Sequence, residues 1–376
     1  MNNFDNYDLT YVTIDSLSEG VGSSQITPLI TRLSKSGMKI NLISYEKSNP
    51  GNQLRDYFES IGVEWNSRPF GPSGLLGGIA RLNNLRREIP KTNLIHARSD
   101  IPAVSAITSH KARVLWDVRS LWADQKIVIQ QNVLNNTLYK TYRGLEKIAA
   151  HKSLAMSTLT SAVVPILEKR NGRLPTLRAV VPTTVDLSRF LLVNKVPKVF
   201  KALFSGTYND YYDLDLSGLF MEELRKQIHV ETYWARPLES NKMQIGVGEE
   251  EVFFVGQAEM AELIPNFSFG VSICKIDAGQ SLTAAMPTKI GEFLACGRPI
   301  VVNKGLGDMD NFITESRIGV ILSGEKDDLK YAAAELINLV SDPETPFRCR
   351  AIAEKYFSMD MAAEKYLDLY SRMLTK

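Results

Sequence analysis

The chain has 376 residues, 44% of them hydrophobic and 23% charged, which is the composition of a soluble globular protein. That length exceeds what one hydrophobic core usually serves, so two domains are expected, and no run approaches the ~20 apolar residues that a membrane-spanning helix needs. The net charge of +2 conceals a split: residues 1–190 hold 24 Lys/Arg against 15 Asp/Glu and residues 191–376 hold 20 against 27, so a half at +9 is joined to one at −7.

From the N-terminus, residues 1–6 lack a basic stretch followed by an apolar core, so no signal peptide is expected. Short apolar runs at 9–14, 40–44, 62–65, 94–96, 114–118, 157–160 and 178–181 read as strands. Helical spacing fills most intervals between them, as at 25–36 and 138–152. This alternation predicts a doubly wound parallel sheet with right-handed crossovers. The first strand runs into Asp15-Ser16-Leu17-Ser18-Glu19-Gly20-Val21-Gly22-Ser23-Ser24. There Gly20 and Gly22 permit positive φ and close backbone approach before a helix that points its N-terminus at a ligand. Glycines serve many strand-to-helix loops simply as turns, and that reading stays open.

Further along, apolar residues 70–80 precede Arg81, Arg86, Arg87 and Lys91. Apolar groups beside clustered cations suit the interface of an anionic membrane, and a solvated helix behind a flexible loop is the plainer alternative. The basic half points the same way, although uneven charge between domains is common without functional meaning. Two polar clusters then fall at strand ends, Arg98 within 93–100 and Asp117, Arg119 and Asp124 within 114–124. Arg98 and Arg119 suit an anionic substrate with Asp117 or Asp124 orienting them, or else form a structural Arg–Asp network. Residues 191–198 read as a linker.

A second alternation follows, with strands at 202–205, 231–234, 252–255, 270–273, 299–302 and 319–322. Helices fit at 214–226, 258–264, 289–296 and 327–341, and 359–374 has helical spacing. No internal repeat or low-complexity tract interrupts them. The predicted architecture is therefore α/β, two Rossmann-like domains facing across a cleft, with ligands beyond the carboxyl ends of the strands. Cys274, Cys296 and Cys349 show no metal spacing, and an odd, sparse set suits reduced thiols in a cytoplasm. His96, His110, His151 and His229 show no ligand pairing, so no metal is expected.

The most informative stretch is Pro287-Thr288-Lys289-Ile290-Gly291-Glu292-Phe293-Leu294-Ala295-Cys296-Gly297-Arg298-Pro299-Ile300-Val301-Val302. Pro287 and Thr288 suit the first positions of a helix, Gly297 its left-handed end, and Pro299 forbids continuation. The run Ile300–Val302 reads as a strand buried on both faces. Lys289 and Glu292, three apart, project from one side of the first turn. A helix start reinforced by Lys289 attracts phosphate, and Glu292 can accept two hydrogen bonds from a vicinal diol such as a ribose. Together they suggest a nucleotide diphosphate ligand. The plainer alternative is an exposed Lys–Glu surface pair, worth well under ~1 kcal/mol.

This segment resembles the donor-binding signature of GT-B glycosyltransferases, closest to the retaining class called glycosyltransferase family 4. The resemblance extends over most of the chain. It implies that the loop at Gly20 and Gly22 contacts donor phosphates or acceptor near the reaction centre. Residues 203–208 resemble the strand opening the family's donor domain, which puts Gly206 and Thr207 near the diphosphate. Relatives often carry an Arg and a Lys shortly after this glycine, where Asn209, Asp210, Tyr211 and Tyr212 stand here. Lys289 must then carry more of the phosphate charge, with Arg236. Relatives also often carry two glutamates separated by seven residues. Glu292 matches the second, whereas Ala284 stands at the first, leaving backbone amides or Ser281 and Thr283 to hold the donor sugar. Many relatives have a sugar-contacting histidine near Asp117. None follows it here, and His96 lies one strand earlier.

On this resemblance the expected domains are 1–190 for the acceptor, a linker at 191–200, 201–356 for the donor, and a helix at 357–376 returning to the first. The expected catalytic set is Gly20, Gly22, Arg98, Asp117, Arg119 and Lys289. The expected donor-binding set is Gly206, Thr207, Arg236, Ser281, Thr283, Pro287, Thr288, Lys289 and Glu292. The expected partners are a nucleotide-diphosphate sugar, a glycan or lipid-linked acceptor and the inner face of the plasma membrane, with no nucleic acid, no metal and no permanently bound cofactor. The implied activity is retaining transfer of a sugar in cell-surface polysaccharide or lipopolysaccharide assembly. A sugar-nucleotide epimerase on the same fold and a non-catalytic nucleotide-sugar-binding subunit are the alternatives.

Overall fold

A computed structural model describes residues 7–129, 136–195, 198–206, 211–237 and 250–376. Two compact units emerge, one of Met1–Ala123, Val133–Val181 and Met359–Lys376, the other of Asp124–Asn132 and Pro182–Ser358.

The first unit holds a parallel sheet of β1 (Leu9–Val12), β2 (Ile40–Glu46), β3 (Val63–Pro69), β4 (Leu94–Arg98), β5 (Arg113–Val118), β6 (Ala155–Thr158) and β7 (Leu177–Val180). Their spatial order is β3-β2-β1-β4-β5-β6-β7, so the winding reverses between β1 and β4. Strands β1 and β4 are buried along their whole length, as a sheet covered on both faces requires. On one face Leu9, Tyr11, Ile30, Leu33 and Phe58 pack with Ala362, Tyr366, Leu369 and Met373 of helix Met359–Leu374. Full burial of one such large side chain contributes ~1.5–3 kcal/mol, so this last helix is part of the first unit's core.

Two expectations shift. The strand read at 157–160 runs at Ala155–Thr158, because Ala155 and Met156 supply the buried pair that starts it. It stops where Thr158 Oγ1 donates to the Thr160 carbonyl at 2.8 Å. The helix read at 25–36 begins as a wide turn at Gly22–Ile26 and becomes α-helical at Thr27–Lys35. Pro28 lies in its first turn, where its missing N–H costs least.

The second unit holds β8 (Phe200–Ser205), β9 (Val230–Arg236), β10 (Glu250–Phe254), β11 (Phe269–Ser272), β12 (Ile300–Asn303) and β13 (Gly319–Leu322), parallel and ordered β10-β9-β8-β11-β12-β13. The winding reverses between β8 and β11. Phe204 and Trp234 stack at 5.3 Å within a core that includes Phe220, Phe269 and Leu336. A Cβ on Gly270 would collide with the Phe293 ring, so glycine in β11 lets helix Thr288–Ala295 seat directly on the sheet. The helix ends as its residues dictate. Gly297 takes φ +75°, its N–H meets the Leu294 carbonyl at 3.0 Å, and the Arg298 N–H meets Phe293 at 2.9 Å.

Candidate functional site

In the second unit, the switch point between β8 and β11 brings Gly206, just after β8, beside Lys289 of helix Thr288–Ala295. Pro287 occupies the extended position before helix Thr288–Ala295, and no side chain caps that helix start. The Met286 carbonyl before it accepts from Thr183 Oγ1 at 2.8 Å, which fixes the entry of the chain. Lys289 is 8% exposed, and its ammonium lies 4.3 Å from the centroid of the Tyr212 ring. The opposite wall is Gly206, at the end of β8 with φ +101°, where even a Cβ would come within 3.8 Å of Lys289 Nζ. Among the described residues the ammonium has no hydrogen bond and no ion pair.

Burial pulls Lys289 down to about 8, against the opposing pull of Glu292 when that carboxylate is ionised. Burial likewise pushes the half-buried Glu292 up to about 7, against Lys289 and Arg189. The two are not paired with each other as a surface bridge would be. Instead an uncompensated cation and a reluctant carboxylate stand one turn apart on a helix with an uncapped start. An anion beside a hydroxyl-rich group satisfies both.

The remaining donor candidates divide. Arg236 is buried at the carboxyl end of β9, and Thr288 and Thr283 are half-buried. Ser281 is buried with its hydroxyl already donated to the Ala278 carbonyl at 2.8 Å. Ala284 is buried too. Thr207 lies outside the described residues. Tyr212, which sequence reasoning passed over, places its ring against the ammonium. Its signal was only that aromatics follow the glycine where cations were looked for.

In the first unit the register lines up three polar residues: Arg98 of β4 pairs with Asp117 of β5, and Asp117 with Ser157 of β6. Asp117 Oδ1 accepts from Ser157 Oγ at 2.8 Å, Arg119 Nη1 at 3.3 Å and Tyr366 OH at 3.3 Å. Its Oδ2 lies 3.6 Å from Arg98 Nη1 and 3.3 Å from His96 Nε2, but neither Oδ2 nor Nε2 makes a hydrogen bond. Arg98 Nε donates to Asp15 Oδ2 at 2.8 Å. His96 Nδ1 meets Tyr370 OH at 2.6 Å. Burial alone would raise Asp117, yet the Arg119 and Arg98 guanidiniums hold it well below the usual carboxylate range. Burial lowers His96 despite Asp117, so the imidazole is neutral near pH 7. His96, one strand earlier, thus lies beside Asp117 and is fully buried.

The loop after β1 is held by a residue that sequence reasoning missed. Glu46, at the end of β2, accepts from Ser16 Oγ at 2.7 Å, Leu17 N at 3.0 Å and Ser44 Oγ at 2.6 Å. Gly22 has a firm reason to be glycine, because a Cβ there would drive into the Ser16 carbonyl. Gly20, at φ +53°, makes the exposed turn before it. Glu46 gave no periodic signal because its role depends on where β2 ends relative to this loop.

The apolar–basic stretch forms helix Gly74–Glu88, with Leu75, Leu76 and Ile79 exposed, Leu76 at 80%. Arg81 does not join the cation cluster expected of it. It is buried, donates to the Phe70 and Pro72 carbonyls at 2.8 and 3.0 Å, and lies 4.1 Å over the Phe70 ring. Arg86 donates to the Thr108 carbonyl at 3.0 Å, and Arg87 and Lys91 are exposed. Among the described residues no helix is long and apolar enough to cross a membrane.

No family model matches the sequence, and no curated protein does. Solved structures do match along the whole chain. Sucrose-phosphate synthase from Thermosynechococcus elongatus superposes with a TM-score of 0.70 at 12% identity, covering 98% of this chain and 99% of that one. A glycosyltransferase from Rickettsia africae gives 0.68 at 12% identity, covering 97% and 98%. Anabaena HepE, solved in complex with UDP-glucose, gives 0.66 at 12% identity, covering 98% and 100%. At that identity the likeness shows the fold, which is GT-B.

Proposed function

We propose that the chain is a retaining glycosyltransferase that moves a sugar from a nucleotide-diphosphate donor to a glycan or lipid-linked acceptor. The observation that carries this reading is the buried Lys289 ammonium beside Gly206, unpaired among the described residues, at an uncapped helix start, with Glu292 one turn on. Charge developing on the β-phosphate of the leaving nucleoside diphosphate would meet Lys289 and the first helix amides without their having to reorganise. Glu292 would hold the ribose. Front-face attack, with the leaving phosphate taking the acceptor proton, needs no enzymic base and no metal. The neighbour HepE was solved with UDP-glucose, which makes UDP-sugars the first donors to try. Cell-surface polysaccharide or lipopolysaccharide assembly is the setting this chemistry suits, at the cytoplasmic face of the membrane.

The ionisations make the reading testable. A phosphate needs Lys289 protonated, hence pH below about 8, and a diol needs Glu292 ionised, hence pH above about 7. Calorimetric UDP affinity is expected to peak between those values and fall on both sides. In Glu292→Ala the acid limb should disappear while the basic limb remains. A flat profile in wild type would contradict the assignment of both groups.

Turnover separates the competing readings. Release of UDP that depends on an added lipid-linked acceptor supports transfer. Isomerisation without acceptor would identify an epimerase. Binding with no turnover would identify a non-catalytic subunit, the reading favoured by Ala284 where relatives often carry a glutamate.

The exposed trio Leu75, Leu76 and Ile79, with Arg87 and Lys91 nearby in sequence, supports peripheral membrane contact. Wild type is expected to co-sediment with vesicles rich in phosphatidylglycerol, and Leu76→Glu to reduce the bound fraction several-fold. Equal sedimentation of both would remove this surface from the account.

A further inference from the structure

Lys289 poses an electrostatic question that the donor reading leaves open: what keeps a buried ammonium charged before a ligand arrives? Among the described residues the groups around it are few. Cys274, just beyond β11, is a buried thiol pushed up to about 12 by its burial, so it is neutral at ordinary pH. The Tyr212 phenol is pushed up by burial as well and is also neutral. Glu292, on the same helix, holds its proton up to about 7 and makes no ion pair with Lys289. Gly206 contributes only backbone. What faces the ammonium is the flat of the Tyr212 ring, 4.3 Å away. An aromatic face carries negative potential and attracts a desolvated cation without neutralising it.

The ring is fastened for this task. Tyr212 forms an antiparallel bridge with Cys274, and its neighbours close the same ladder through Asp213 N to Ile273 O at 3.1 Å and Lys275 N to Tyr211 O at 2.9 Å. The Tyr211 ring meets it edge-on at 6.5 Å. The pairing thus ties the segment after β8 to the end of β11, at the two strands that flank the switch point.

We infer that Tyr212 is a positioning residue that holds the Lys289 ammonium charged and in place through its ring face, so that the incoming diphosphate provides the missing counter-charge. A carboxylate at that position would hold Lys289 equally well but would compete with the phosphate and repel it. A second cation would attract phosphate but suppress protonation of Lys289. The aromatic ring does neither. This inference rests on the nucleotide-sugar reading of the same site.

The test uses the full chain as wild type, Tyr212→Phe and Tyr212→Leu, with UDP and inorganic pyrophosphate as probes from pH 6.5 to 9. Tyr212→Phe keeps the ring and is expected to bind within about twofold of wild type. Tyr212→Leu is expected to bind both probes about tenfold more weakly near pH 7.5, with its basic limb about one pH unit more acid. Competitive acetylation of Lys289 across pH, read by mass spectrometry, follows the same ionisation without any ligand and should show the same displacement. A folded Tyr212→Leu with unchanged affinity and unchanged acetylation midpoint would overturn the inference. So would a Tyr212→Phe as impaired as Tyr212→Leu, which would assign the role to the hydroxyl. If the acetylation midpoint moves in Tyr212→Leu while wild type binds neither probe, the ring's hold on Lys289 stands and the diphosphate part of the inference fails with the donor reading.

Discussion

Lys289→Met is expected to slow sugar transfer severely while making the protein more stable. The two effects have one cause. The ammonium is buried with no ionic partner among the described residues, and its fall from the ordinary 10.5 to about 8 measures how much the folded state disfavours the charge. A shift of that size corresponds to about 3 kcal/mol of destabilisation at neutral pH. Methionine matches the stem and removes the charge, so much of that cost should be recovered as a higher melting temperature. Linkage fixes the sign. The wild-type penalty is fully present below about 8, and it fades as pH rises towards 10.5, where the unfolded chain also loses its proton. Stability of wild type relative to Lys289→Met should therefore improve across that window. Removing the group proposed to face the leaving phosphate should lower turnover by about 10²–10³-fold. Such an exchange of stability for function is expected where a site is held ready for a ligand's charge. A variant both less stable and fully active would show that Lys289 is an ordinary structural lysine.

Asp117→Ala should be the most damaging single change in the first unit. It removes the carboxylate that accepts from Ser157, Arg119 and Tyr366 and that faces Arg98. Breaking a buried ionic cluster by deleting one partner costs about 3–5 kcal/mol, because the charges left behind stay desolvated. Tyr366→Phe deletes the 3.3 Å contact to Asp117 without removing a charge and should cost about 1 kcal/mol. Urea unfolding followed by tryptophan fluorescence reads this unit well, since Trp65, Trp116 and Trp122 all lie in it. The Asp117 contribution is fully present above the unfolded carboxylate value of about 4 and is lost progressively as pH falls from there through its depressed folded value. If Asp117→Ala cost no more than Tyr366→Phe, the arginines would be compensated by solvent, and the cluster would be an open anion site rather than a scaffold.

What could be read in advance follows from which interactions are local. The helix Thr288–Ala295 and the strand after it were legible because every signal sits in adjacent residues: proline before, glycine and proline after, then a β-branched run. The alternation of strands with helices was legible for the same reason, and the two parallel sheets follow from it. What escaped depends on register between distant segments. Glu46 anchors a loop 29 residues away, and His96 reaches Asp117 only because β4 and β5 lie side by side. Arg81 looked like one of a row of surface cations, but the chain at Phe70 and Pro72 folds back to take it inward. Tyr212 was passed over because reasoning by charge does not look for an aromatic face under a lysine.

The central claim is that a nucleoside diphosphate binds at Lys289 and Glu292. Its most direct test is thermal stabilisation by UDP, GDP, ADP and CMP, with and without their common sugars, on wild type and Glu292→Ala. A ligand that binds the folded state raises its melting temperature with concentration. The account predicts a shift for one nucleotide that is lost or much reduced in the variant. No shift with any nucleotide, or an equal shift in both proteins, would contradict it.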